Sequence, residues 1–113
     1  MSVPLHKKRY RERGFNQSLV IARYMSSQMN YPLETGVLRR PVYRPPQTSL
    51  NAEERRGNVR GVFAVVNPDP IKDKKVLLVD DVYTTGATLK ECGRVLRESG
   101  ARDIRAVTLA CAD

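Results

Sequence analysis

Residues Lys75-Val76-Leu77-Leu78-Val79-Asp80-Asp81-Val82-Tyr83-Thr84-Thr85-Gly86-Ala87-Thr88 decide the fold of this 113-residue chain. An unbroken apolar run closed by two acids is the pattern of a strand covered on both faces, as in a parallel sheet. Thr84-Thr85-Gly86 then turns into a helix with Leu89, Cys92, Val95 and Leu96 at helical spacing, closing at Gly100. Ile104 to Ala110 supplies a second strand. Strand, helix and strand in this order make a βαβ unit with a right-handed crossover. The expected fold class is therefore α/β, with a parallel, Rossmann-like sheet of about four or five strands, flanking helices and a ligand at the strand carboxyl ends.

The same stretch carries the chemistry. Asp80 and Asp81 stand where open α/β sheets bind ligands, and carboxylates there can accept hydrogen bonds from vicinal hydroxyls or hold a hydrated magnesium ion. Gly86 lets the backbone approach a ligand closely, and successive N–H groups at a helix N-terminus bind phosphate. Thr84, Thr85 and Thr88 add hydroxyls. The turn suits a sugar phosphate, with a diol on the carboxylates and a 5′-phosphate in the turn.

Working toward the N-terminus, Val62 to Val66 reads as a strand and Asn67 to Pro70 as a turn. Asn51 to Glu54 has the reciprocal-cap pattern of a short helix start, and Pro41 to Leu50 is a proline-rich loop. Val37-Leu38 is a short strand. Asn16 caps a helix running to Met29, with Phe15 stapled onto Val20 and an apolar stripe at Leu19, Ala22, Met25 and Met29. His6 to Gly14 is expected to be a basic loop, and Val3-Pro4-Leu5 the end of a strand, since Pro4 cannot continue a ladder.

Charge is placed unevenly. Residues 1–60 hold 12 lysines and arginines against 4 acids, whereas residues 61–113 hold 8 of each, so the whole net charge of +8 lies in the first half. Such a half suits phosphate or a polyanion. A weak nucleic-acid contact is one form this could take, although no interleaved aromatics or nucleic-acid-binding signature accompany the basic pairs Arg39-Arg40 and Arg55-Arg56. Cys92 and Cys111 form no disulfide framework and read as buried small hydrophobes. The sole histidine, His6, reads as a surface loop residue, and Tyr83 either packs against the sugar or faces solvent. With no apolar run of about 18 residues, no membrane span is expected. The expectation is a single domain over residues 1–113, reduced and cytoplasmic, with a homodimer as one possible assembly.

The segment Val76 to Thr88 resembles the phosphoribosyl pyrophosphate (PRPP) binding motif of the type I phosphoribosyltransferases. A second likeness spans nearly the whole chain. Val3-Pro4-Leu5-His6, Arg13-Gly14-Phe15-Asn16-Gln17, Pro46-Gln47, Arg55 to Asn58 and Phe63 are similar, in order, to the competence protein F family, a branch of the same transferase fold. The resemblance implies that Asp80 and Asp81 bind the ribose hydroxyls and act in catalysis. It likewise implies that Thr84, Thr85, Gly86, Ala87 and Thr88 cradle the 5′-phosphate, and that Mg²⁺ is bound mainly through ligand and water. The basic stretch after the first strand occupies the pyrophosphate-loop position, which makes Lys7, Lys8, Arg9, Arg11 and Arg13 its candidates. Family members usually carry an N-terminal cysteine-rich zinc module, which this chain is expected to lack, and no hood over an acceptor base is located.

Two functions follow as expectations. One is a phosphoribosyltransferase-type domain that binds PRPP with Mg²⁺ and passes the phosphoribosyl group to a nitrogenous acceptor through an oxocarbenium-like state. The other is a non-catalytic PRPP- or nucleotide-binding protein serving regulation or DNA uptake.

Overall fold

The computed structural model describes residues 1–42, 54, 59–83 and 85–111. Pro46, Gln47, Asn51, Arg55, Arg56, Asn58 and Thr84, each singled out above, lie outside the described residues.

Strand β3 (Lys75–Tyr83) and strand β4 (Asp103–Cys111) pair in parallel, in register from Lys75 opposite Asp103 to Tyr83 opposite Cys111. Helix α3 (Ala87–Glu98) crosses between them. Val76, Leu78 and Val79 of β3 and Cys92 and Leu96 of α3 are buried, and Leu89 and Val95 pack against the same core. The apolar spacing of the sequence thus fixes both the strand and the face that α3 turns to it. Along α3, Arg94 pairs with Glu91 and Glu98 at one-turn spacing, which neutralises the buried Glu91.

A third chain segment adds to the sheet. Val3 N–H donates to Val79 O at 2.9 Å and Val79 N–H to Met1 O at 2.9 Å, a parallel bridge at the edge of β3 opposite β4. The ladder goes no further: its next bond would join the Asp81 amide to Val3 O, but that amide donates to Asp80 Oδ1 and Val3 O accepts from Asn16 Nδ2. Among the described residues the parallel sheet is therefore β3 and β4 with this bridging segment, not the four or five strands expected from sequence. Strands β1 (Leu38–Arg39) and β2 (Ala64–Val65) instead form their own antiparallel pair, Leu38 opposite Val65 and Arg39 opposite Ala64. Their neighbours Val37, Val62 and Phe63 are buried in the core they share with β3 and α3.

The expected basic loop is a helix. In α1 (Lys7–Arg13), His6 caps the start by accepting from Lys8 N–H at 3.1 Å, and Gly14 ends it at φ 80° with its N–H on Tyr10 O. Arg11 and Arg13 occupy its last turn, where cations oppose the negative helix end. The only histidine is thereby a helix cap.

Helix α2 runs over Gln17–Met29 with its cap at Asn16 as expected, but of the expected stripe only Ala22 is buried; Leu19 and Met25 are half-buried and Met29 is exposed. Asn16 Oδ1 accepts from the amides of Ser18 and Leu19, and Asn30 closes the helix in the left-handed region. Ser18 and Ala22 make its buried stripe. Phe15 and Val20, expected to staple the entry, both remain about half exposed. Cys111 is exposed at the end of β4, against the expectation that both thiols are buried. No helix among the described residues is long and apolar enough to cross a membrane.

Leu78 is fully buried and Leu109 of β4 is 70% exposed, so the two leucines should respond very differently to truncation. Leu78→Ala is expected to cost about 2–5 kcal/mol and Leu109→Ala under about 1 kcal/mol in urea unfolding, since only the first leaves a cavity.

Candidate functional site

Strand β3 does not end at the paired acids. Val82 stays opposite Ala110 and Tyr83 opposite Cys111, so Asp80 and Asp81 sit inside the last pairs of the ladder. Successive strand side chains leave opposite faces, and the two carboxylates consequently differ. Asp80 Oδ1 accepts from Ser18 Oγ at 3.0 Å and from the Asp81 amide at 2.9 Å. Asp81 Oδ1 turns back onto the Val82 amide at 2.9 Å. In both residues the hydrogen bonds from described residues fall on Oδ1, leaving Oδ2 available to a ligand.

Burial raises the Asp80 carboxyl above the ordinary aspartate range, while the donors from the Asp81 backbone and Ser18 pull the other way. Burial likewise pushes up the thiol of Cys92, which lies within electrostatic reach of Asp80 and Arg40 and is no nucleophile at neutral pH. Arg40 itself lies over the Phe63 ring, 5.4 Å from its centroid.

The turn after β3 is built for close backbone approach. Gly86 has φ +79° and is the N-cap of α3. A Cβ there would lie 2.8 Å from Tyr83 Oη and 2.9 Å from Tyr83 Cε2, so any other residue would meet the ring as well as an unfavourable backbone. Tyr83 thus packs over the turn. Thr85 Oγ1 accepts from the Ala87 amide at 3.2 Å, and the next amides, of Thr88 and Leu89, have no intrahelical acceptor by the geometry of a helix start. These are the donors that an anion would use.

Of the predicted site residues, Asp80, Asp81, Thr85, Gly86, Ala87 and Thr88 come together on the β3–α3 connection, and Thr84 lies outside the described residues. The five basic candidates all fall on α1, which leaves the sheet at the level of Asp80 because Val3 pairs with Val79. Lys7 and Arg11 line a cleft of about 520 Å³ with Pro4, Tyr10, Asn16 and Arg39. Lys8, Arg9 and Arg13 do not, and Arg9 pairs with Glu12 at 3.4 Å. A larger cleft, about 810 Å³, runs along β3 from Lys75 to Val79 and shares Met1 and Glu34 with the first; neither cleft is lined by Asp80, Asp81 or the described residues of the β3–α3 turn, so α1 and the turn are not brought into one pocket.

Sequence reading missed Ser18. Its signal was a small polar residue two places after the cap Asn16, one helical turn before Ala22 on the buried stripe. Among the described residues no group of three or more carboxylate, histidine or cysteine side chains could hold a metal ion. Two carboxylates with free oxygens fit magnesium only as an ion shared with ligand oxygens and water, which is how this hard, hydrated cation is usually held.

A stability consequence follows from the buried acid. A carboxyl whose folded pKa is raised contributes stability below its unfolded pKa and loses it as pH rises through the folded value. Asp80→Asn keeps an acceptor for Ser18 and Asp81 without the charge. Its Tm should exceed that of the parent protein at pH 7, and the gap should close as pH falls toward about 3.9, the ordinary aspartate value.

Comparison with known proteins shows the family. Residues 16–112 match the phosphoribosyl transferase domain family. Competence protein F of Haemophilus influenzae is 34% identical over 109 residues, which is 96% of this chain and 48% of that protein. Competence protein ComFC of Streptococcus pneumoniae is 34% identical over 95% of this chain and 45% of its own length. DNA utilization protein YhgH of Escherichia coli O157:H7 is 31% identical over 93% of this chain and 45% of its own. The chain spans about half the length of the curated relatives it matches. With its αL glycine between a two-acid strand and a helix N-terminus, and a family match covering everything from the cap of α2 to the end of β4, the chain belongs to the phosphoribosyl transferase domain family, in its competence protein F-like branch.

Proposed function

We propose that this domain binds PRPP with Mg²⁺ and serves as a phosphoribosyltransferase-type module. The observation that carries the reading is the junction of β3 and α3: two carboxylates whose Oδ2 atoms accept from none of the described residues, followed by a glycine at φ +79° and open first-turn amides. The spacing suits one ligand that offers a diol to the acids and a phosphate to the turn. Names of the relatives refer to competence and DNA utilization, which supports a competence role for this chain as well.

In this reading Asp80 and Asp81 accept from the ribose 2′- and 3′-hydroxyls. The amides from Gly86 onward, with the threonine hydroxyls, hold the 5′-phosphate and so fix the sugar against rotation. With both ends held, the C1–pyrophosphate bond can break while positive charge develops on the ring, and the nearby carboxylates favour that charge. Lys7 and Arg11, on the basic helix α1 that follows the first strand segment, would meet the pyrophosphate; arginine's forked donors suit its oxygens. Asp80 or Asp81 would hold Mg²⁺, which would supply positive charge to offset the negative charge of the pyrophosphate. The acceptor would be a nitrogenous base.

Calorimetric titration of PRPP tests this. Binding should need Mg²⁺ and should weaken at least about a hundredfold in the Asp80→Asn/Asp81→Asn variant, which loses two charge-assisted contacts. No binding by a folded parent protein would remove the proposal, and binding without release of pyrophosphate in the presence of bases would favour a PRPP sensor over an enzyme.

The pyrophosphate assignment has its own check. Lys7→Ala/Arg11→Ala should weaken PRPP by about tenfold or more while leaving ribose 5-phosphate, which lacks the pyrophosphate, within about twofold. Equal losses for both ligands would move these residues to a general electrostatic role.

A further inference from the structure

The Arg13-Gly14-Phe15-Asn16-Gln17 stretch that carries the family likeness, together with the next residue Ser18, has no task in the binding scheme above, yet through Asn16 and Ser18 it is hydrogen-bonded to Asp80. Asn16 spans two elements: Nδ2 donates to Val3 O at 3.1 Å, and Oδ1 caps α2 through the amides of Ser18 and Leu19. Val3 is in turn bonded to Val79, the residue before Asp80. Ser18, only 4% exposed, donates to Asp80 Oδ1. The first strand segment, the start of α2 and the end of β3 are thus closed into one loop of hydrogen bonds, with Asp80 as its last member.

From this geometry we propose that Ser18, oriented by the Asn16 cap, is a positioning residue that holds the Asp80 carboxylate by Oδ1 and presents Oδ2 to the sugar hydroxyls. The proposal rests on the sugar-phosphate reading of the site. A buried hydroxyl beside a half-buried carboxylate has two effects. It gives Oδ1 a second donor beside the Asp81 amide, and with that amide it opposes the rotation by which the two carboxylate oxygens exchange places. Precise placement of this kind favours ligand affinity by lowering the ordering cost on binding. It also explains why the residue must be small. Ser18 and Ala22 are the stripe on which α2 meets β3, and a longer polar side chain would push the helix off the sheet.

Ser18→Ala removes one oxygen and places a good helix former near the start of α2, so folding is expected to persist. Two readouts are taken on the parent protein, Ser18→Ala and Ser18→Thr. The first needs no ligand: the ¹³C carboxyl resonance of Asp80 at pH 7 should be single and sharp in the parent and in Ser18→Thr, and shifted or broadened in Ser18→Ala. The second is titration with PRPP and Mg²⁺, in which Ser18→Ala should bind about tenfold more weakly and Ser18→Thr should recover most of the loss. In an Asp80→Asn background, Ser18→Ala should make no further difference.

An unchanged Asp80 resonance in Ser18→Ala overturns the proposal, as does an equal loss of affinity with or without Asp80. If the resonance responds as stated but the parent protein does not bind PRPP, the bracket stands and the sugar-phosphate reading falls. Should the added methyl of Ser18→Thr disturb packing, the Asp80→Asn cycle decides by itself.

Discussion

A carboxylate at the end of a buried strand is costly to hold, and Asp80 shows how the fold manages that cost. Its side chain is partly stripped of water, which raises its pKa, and two donors answer it: the hydroxyl of Ser18 and the amide of Asp81. Both donors depend on neighbours being in place. Ser18 faces β3 only because Asn16 starts α2 where it does, and Asn16 is tied to Val3, which is laddered onto Val79. On the other side, β4 holds β3 straight through Tyr83, so that the acids remain in the ladder. The parallel placement of three chain segments is thus the constraint from which the site geometry follows.

The connection to α3 extends the same logic. Gly86 takes a backbone shape that other residues resist, and Tyr83 fills the space that any side chain would need. In sequence only Thr84 and Thr85 separate the end of β3 from the cap of α3. Open amides are left a few residues from two carboxylates, as a small ligand with a diol and a phosphate requires. The excess positive charge is separate: it is carried in part on α1, beyond the first strand segment, and reaches its cleft through Lys7 and Arg11.

Much of this was legible in the sequence, for physical reasons that differ by element. The β3–α3–β4 unit is marked by a long apolar run and a helical apolar stripe, two local patterns that burial enforces directly. Helix α2 is marked by its cap. Helix α1 reads as a loop because it has seven residues, no buried face and almost only charged side chains; its signals are the caps His6 and Gly14, not periodicity. Strands β1 and β2 are two residues each, too short for a pattern to distinguish parallel from antiparallel pairing. Ser18 escaped notice because its partner lies 62 residues away in sequence, and nothing local to either residue announces the contact. The difference between Asp80 and Asp81 is likewise a matter of which face each leaves, and it needs the sheet to be seen.

The most direct test of the central claim is an amide-resolved NMR titration of ¹⁵N-labelled protein with PRPP and Mg²⁺. The account predicts saturable shifts at Asp81, Gly86, Ala87, Thr88 and Leu89, with smaller ones at Ser18 through its bond to Asp80. Shifts confined to α1, or none along the β3–α3 junction at saturating ligand, would contradict it.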